Sequence, residues 1–517
     1  MASNSSSPLL FAPLHVVGYI LEHLDSFEQL GQAISSHRIF YNAFKEYPRC
    51  VAQAVITTQI PEKVLLYALL SVETNRITPG DFQTLKEIIA RFYPINGYGG
   101  DRPANVSYYQ DEVSEAALAS PALLLNKLSW SEYVSLIQDY EAVLLLGQAM
   151  AQECVAKLGS FGITRTGPLT AEERFRLDRS FYLFQAICNT FCTEAWPNGG
   201  WIYNQKDYLV PHEDWRDEYA AEVLSCCFSP WVNHQVQSVY RFLESNIVTA
   251  FRYIAENDVG YAGWKLRHSS VFQDCLRHDE LFTRGLCFHA NVKQAEDYET
   301  RSKLLKPPSN PDWRWDVDRL SEVFRSLTYP SNAIVQLLQS SDMRVGELGD
   351  SLGFLQGTQD GEFDNLESQS CRSWKYAYRH CDFNGYGLTT YTSWLLECAY
   401  VMWDLHGTSD SLLSERLNVM MMANFPPEAE MCDEEYNEFI RSRTQREQIY
   451  SRGGEGWWPT KGVDFSRVTR LTDQDKEELL SEWRENGWVE PLKRKRSGSS
   501  SSCSSVQSTV IVSRRYT

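Results

Sequence analysis

Apolar residues fall at three- and four-residue steps along most of this chain, the spacing that lines one face of an α-helix. At the N-terminus Val16, Val17, Ile20, Leu21 and Leu24 form one such stripe. Asp25 or Ser26 then caps a second short helix bearing Leu30, Ala33 and Ile34, and Ser35 or Ser36 restarts the chain into a third with Ile39, Phe40, Ala43 and Phe44. Three short amphipathic helices bury too little surface to stand alone, so their stripe calls for a second surface, either the rest of the chain or a partner.

Farther along, Thr170 and Glu173 make a capping box ahead of a run that ends near Cys192 and carries Phe181, Phe184 and Cys188 on one side. Ser229-Pro230 reads as an N-cap followed by proline at the first helical position, leading into Val232, Val236, Val239, Phe242, Leu243 and Ile247. From Pro427 to Ser451 the acidic residues Glu428, Glu430, Asp433, Glu434 and Glu435 come early and Arg441, Arg443 and Arg446 late, the polarity that suits a helix dipole. Thr472 with Asp475 opens a last helix, and Asn486-Gly487 closes it. No two alternating β-branched runs are joined by a tight turn, so strands are sparse.

The expected fold is mainly α: an N-terminal three-helix motif over residues 8–48, a large irregular α-helical body over 51–490, and a disordered C-terminal tail over 491–517. Breaks are expected near 96–107, 159–168, 306–311 and 346–361, as loops within one body or as borders between domains. No fixed period of a helical-repeat array is visible.

Composition narrows the class. The chain has 517 residues, 43% hydrophobic and 22% charged, which suits a globular protein of several domains. Its net charge of −18 argues against a general nucleic-acid or anionic-membrane surface. Thirteen scattered cysteines build no disulfide framework, and no C-x-x-C accompanies Cys226-Cys227 or Cys371, His380 and Cys381, so no metal site is expected. The start, Met1 to Ser7, lacks the basic residues of a signal peptide, and Ala142 to Leu146 falls far short of a bilayer span. An intracellular protein, nuclear or cytoplasmic or both, is expected.

The tail concentrates charge of the other sign. Residues 491–517 carry six basic residues, no acidic ones and nine serines. Within it Lys493, Arg494, Lys495 and Arg496 fit a short nuclear-import signal, or else a basic tail that nothing reads. Phosphate on the neighbouring serines weakens such a cluster.

In the N-terminal motif Pro13, Val16, Val17, Ile20, Leu21, Leu24, Asp25 and Leu30 fall at the spacing of the F-box, and the segment resembles the divergent F-box-like part of large fungal proteins. An F-box docks a substrate-recognition subunit on the Skp-type adaptor of a cullin-RING ubiquitin ligase. The resemblance therefore implies docking through Pro13, Val17, Ile20, Leu21, Leu24 and Leu30, with an unknown protein target held elsewhere on the chain. Ala12 stands where a leucine usually precedes the proline, and His15 where a glutamate does.

Catalytic signatures are thin. His212-Glu213 lacks the spacing of a zinc protease, no G-x-S-x-G or P-loop occurs, and Asp382 to Tyr386 opens like a calcium loop but fails at its fifth and twelfth positions. His212 with Glu213 and Asp214, and His278 with Asp279 and Glu280, are acid/base clusters only if the fold makes them converge. Of the tryptophans, Trp313, Trp315, Trp374, Trp394 and Trp403 read as core, whereas Trp457-Trp458, beside Gly453, Gly454 and Gly456, read as an exposed pair. The expected function is a non-catalytic ubiquitin-ligase adaptor without cofactor, nucleic acid or membrane. The alternative is a helical scaffold or regulator whose N-terminal helices are internal core.

Overall fold

The structure is a computed structural model that describes residues 12–77, 121–165, 167–191, 230–262, 284–305, 369–378, 393–405, 409–422 and 433–489, with a few single positions between. It is mainly α-helical. In chain order the helices are α1 Leu14–Glu22, α2 Phe27–Ser36, α3 Arg38–Glu46, α4 Pro48–Gln59, α5 Glu62–Asn75, α6 Pro121–Leu125, α7 Trp130–Ser160, α8 Ala171–Phe191 and α9 Pro230–Asn257. Then follow α10 Val259–Ala262, α11 Leu286–Gln294, α12 Tyr298–Leu305, α13 Gln369–Tyr378, α14 Ser393–Glu397, α15 Asp410–Met422, α16 Asp433–Ser451 and α17 Asp473–Glu485. Between α16 and α17 the strands β1 Glu455–Gly456 and β2 Val468–Thr469 pair antiparallel. No single helix among the described residues is long and apolar enough to cross a membrane.

Contacts divide the chain into two compact units, residues 1–255 with 266–431, and residues 256–265 with 432–517. The second division falls inside the expected body of 51–490, and the expected break at 159–168 is the connection between α7 and α8.

Local chemistry explains where the helices begin. Ser26, not Asp25, caps α2, its hydroxyl accepting from Gln29 N at 3.2 Å. The restart lies at His37 and not at Ser35 or Ser36: its ring Nδ1 accepts from Ile39 N at 3.1 Å. Thr170 and Glu173 form the expected reciprocal box, Glu173 N to Thr170 Oγ1 at 3.1 Å and Thr170 N to Glu173 Oε2 at 2.9 Å. A second box, Ser129 with Glu132, opens the 31-residue α7. Thr472 with Asp475 opens α17, and Gly487 follows its end in the left-handed region at φ 71°.

In the first unit α1 to α4 close around Val17, Leu21, Leu30, Ala43, Val51 and Val55, with Ala12 and Leu24 packed at the edge. Gly18 lets α1 approach α4, because a Cβ there would lie 3.1 Å from the Tyr47 ring. Helix α8 forms the centre of the larger body: Leu177, Phe181, Tyr182, Phe184 and Cys188 are all buried, and α5 packs along it. Trp374 and Trp403 are core residues, as their type suggests.

The second unit corrects the reading of the tryptophan pair. Trp458 is wholly buried with Val259, Ile449, Val468, Leu479 and Trp483. Its amide donates to Asn257 O at 2.7 Å, and its indole Nε1 to Gln445 Oε1 at 3.2 Å. The glycines make this possible instead of preventing it. At Gly456, with φ 110°, a Cβ would lie 2.3 Å from Arg467 O, so only glycine lets the two strands meet and fold the loop over the indole. Trp457 is half-buried, with the Arg467 guanidinium 5.3 Å from its ring centre.

Candidate docking surface

Helix α1 is apolar on both sides, and the structure uses the two sides differently. Val17, Leu21 and, from α2, Leu30 are buried among α1 to α4, and Leu24 is half-buried at the same seam. These residues hold the motif together, so they are not free for a partner in this conformation. Pro13 and Ile20 are exposed. Beside Ile20 stand Leu14, Val16 and Tyr19, with 38 to 62% of their area in solvent. Of the six residues that carried the sequence reading of docking, Pro13 and Ile20 face solvent, and Leu14, Val16 and Tyr19 complete the face.

Tyr19 is the member that spacing alone did not single out. The signal was present in the Leu-His-Val-Val-Gly-Tyr-Ile-Leu run, which is apolar too far round the helix for one buried stripe. His23 fixes the lower edge of the face. Its Nδ1 lies 2.8 Å from Tyr19 O, and its ring centre 4.4 Å from that of Tyr19. Asp25 and Glu28 give the rim negative charge.

The motif is held on the body through α4. Arg49 donates to Asn126 O at 3.1 Å, and Gln53 Nε2 donates to Asn126 Oδ1 at 2.8 Å and to the Tyr133 hydroxyl at 3.0 Å. Phe44 meets Trp130 edge to face at 5.5 Å. Partly exposed side-chain bonds of this kind contribute about 1 kcal/mol each, and together they fix the direction in which α1 points.

Sequence reasoning missed a second polar feature, a buried ionic cluster at the start of α8. Arg165 forks onto Glu173, whose Oε1 also accepts from Asp404 N at 2.9 Å. Asp404 in turn accepts from Thr170 Oγ1 at 2.6 Å and from Arg176 at 2.8 Å, and Arg176 donates as well to Met402 O at 2.8 Å. Each of the four carboxylate oxygens is bonded, and two positive charges meet two negative ones. Such a set holds the turn after α14 against α8 and leaves neither carboxylate open to a substrate as a base. Its partners lie more than 200 residues apart in sequence, so no local pattern announces it.

Among the described residues no group of three metal-ligating side chains comes together. His212, His278, the Asp382 to Tyr386 segment and the basic cluster Lys493 to Arg496 lie outside the described residues. The chain matches no family model, no curated protein and no solved structure.

Proposed function

We propose that the protein is a non-catalytic adaptor of a cullin-RING ubiquitin ligase, docking on a Skp-type subunit through α1. The observation that carries this reading is the divided α1: one side cements α1 to α4, while Leu14, Val16, Tyr19 and Ile20 stand in solvent on the other. Covering such partly exposed apolar side chains contributes about 1 kcal/mol each, in the range needed for a specific small interface. The helical body then offers a surface to an unknown protein target, and the tail cluster Lys493, Arg494, Lys495 and Arg496 serves nuclear import.

The test is capture of a purified Skp-type adaptor by the full chain. Val16→Asp with Ile20→Asp is expected to abolish capture while the melting temperature stays put. Retained capture removes the ligase reading. Leu21→Asp does not serve, because Leu21 is core and its loss unfolds the motif whatever the motif binds.

The scaffold reading draws support from the bonds of Arg49 and Gln53 to Asn126, which make the N-terminal helices part of the body. Under it, the same double change leaves every interaction of the protein intact.

A further inference from the structure

Helices α7, α8 and α11 meet along a seam of polar groups that has no use in docking. Asp178, Tyr182 and Gln185 lie at four- and three-residue steps on one side of α8. Tyr182 is fully buried, and among the described residues its hydroxyl finds no hydrogen-bond partner; neither does Gln185 Oε1. Opposite them α7 brings Asp139 and Tyr140, and α11 brings Cys287, whose thiol donates to Asp139 Oδ1 at 3.4 Å. Asp178 is buried and Asp139 half-buried, so the seam has one carboxyl deep inside and one in reach of water.

The charges facing these two carboxyls are few. On α8, Arg174 approaches Asp178 to 3.1 Å from one helical turn away. On α7, Tyr140 neighbours Asp178, and Glu141 acts on Cys287. On α11, His289 is enclosed by Phe184, Phe282 and Phe288, and burial holds its pKa down at about 4, so it is neutral. Helix α5 sets no charge against either carboxyl among the described residues; its Tyr67 meets Phe175. Among the described residues Asp139 thus has no cation, and a buried carboxylate without one is costly.

We propose that this seam is a proton-operated joint, packed when Asp139 and Asp178 carry their protons and loosened when both ionise. Burial pushes each carboxyl up to about 6, opposed at Asp139 by the Cys287 thiol and at Asp178 by Arg174. Burial, and then the two carboxylates, push the Tyr182 hydroxyl well above its ordinary value. Cys287, raised to about 12 by burial and by Asp139, stays a neutral donor. A carboxyl raised in the folded state stabilises the fold fully below its unfolded pKa of about 3.9, and that contribution is lost as pH rises through 6. The buried His234 and His289, depressed to about 3 and 4, act in the opposite sense, losing stability as pH falls below about 6.5.

Hydrogen exchange of the full chain, read by peptide mass spectrometry and corrected for intrinsic rates, tests the joint. Between pH 5 and pH 7.5 each carboxyl, moved from about 3.9 to about 6, is expected to favour opening of α7, α8 and α11 peptides about tenfold, read as the difference in pH dependence between wild type and an Asn variant, because the buried His289 pulls the other way in both. The Asp139→Asn/Asp178→Asn double variant is expected to lose both contributions, about a hundredfold together, and to keep only the opposite trend of the histidines. Asp139→Asn alone, at the half-exposed position, is expected to lose one of the two contributions, about tenfold, and serves if the double variant does not fold. A pH dependence of the seam peptides that is the same in wild type and in the Asn variants overturns the proposal.

Discussion

Helices α1 and α8 invert the usual relation between composition and burial. The first is almost wholly apolar, yet Val16, Tyr19 and Ile20 stand in water. The second holds Glu173, Arg176, Asp178 and Arg179, and all four are buried. A helix goes inside when its charges find partners there, and α8 finds them in Arg165, Asp404 and Gln235, the last accepting from Arg179 at 2.7 Å. An apolar helix stays partly outside when its neighbours cover only one side of it, as α3 and α4 do. Residue type thus sets the cost of burial, and the available partners decide whether that cost is met.

The sharpest break of the comparison is to take away one partner of α8. Asp404→Ala leaves Arg176 buried against a single carbonyl and Thr170 without its acceptor, so a loss of about 3–5 kcal/mol is expected in chemical denaturation. A fall below about 1 kcal/mol would mean that water already reaches the cluster. Next comes the inner side of α1. Leu21→Ala opens a cavity among α1 to α4 and is expected to cost about 2–5 kcal/mol, read by the same melts.

An exposed ion pair gives a smaller effect with a definite pH sign. The bond from Arg76 holds the Glu132 carboxyl down at about 2, helped by its place in the Ser129 capping box. The stability it adds is present above about pH 4.5 and is lost as pH falls toward 2. Because both groups are partly in solvent, Glu132→Gln is expected to cost under about 1 kcal/mol at pH 7 and nothing at pH 2. Smallest is the outer side of α1, where Ile20→Asp is expected to change stability by no more than about 0.5 kcal/mol, while adaptor capture falls. The difference between Leu21 and Ile20, neighbours in sequence, measures how completely the two sides of α1 are separated.

Much of this was legible where the cause is local. The Thr170–Glu173 and Thr472–Asp475 boxes and Gly487 are short-range signals, and each sits where its residues place it. His37 as a cap was not legible, because serine is the commoner cap and two stood just before it. Trp458 was misjudged for a physical reason: glycine marks a loop in sequence, but at φ 110° with no Cβ it also lets Gly456 lie against Arg467 and shut the core. The α1 stripe was visible, whereas its division into Val17 and Leu21 inside and Val16 and Ile20 outside depended on where α3 and α4 would lie. The ionic cluster and the α7–α8–α11 seam join residues from distant parts of the chain, beyond the reach of any window.

Helix α7 runs unbroken from Trp130 to Ser160, a bar of roughly 46 Å. Near its start Tyr133 receives Gln53 and Trp130 touches Phe44; about a third of the way along is Asp139; near its end Lys157 grips Glu397 at 3.0 Å and Cys154 donates to the same residue's carbonyl at 3.2 Å. One stiff beam therefore carries the mounting of the N-terminal helices, the carboxyl seam and the loop beside the charged cluster. Any tilt set off at Asp139 is delivered mechanically to both extremities, so these three places cannot be repositioned one at a time.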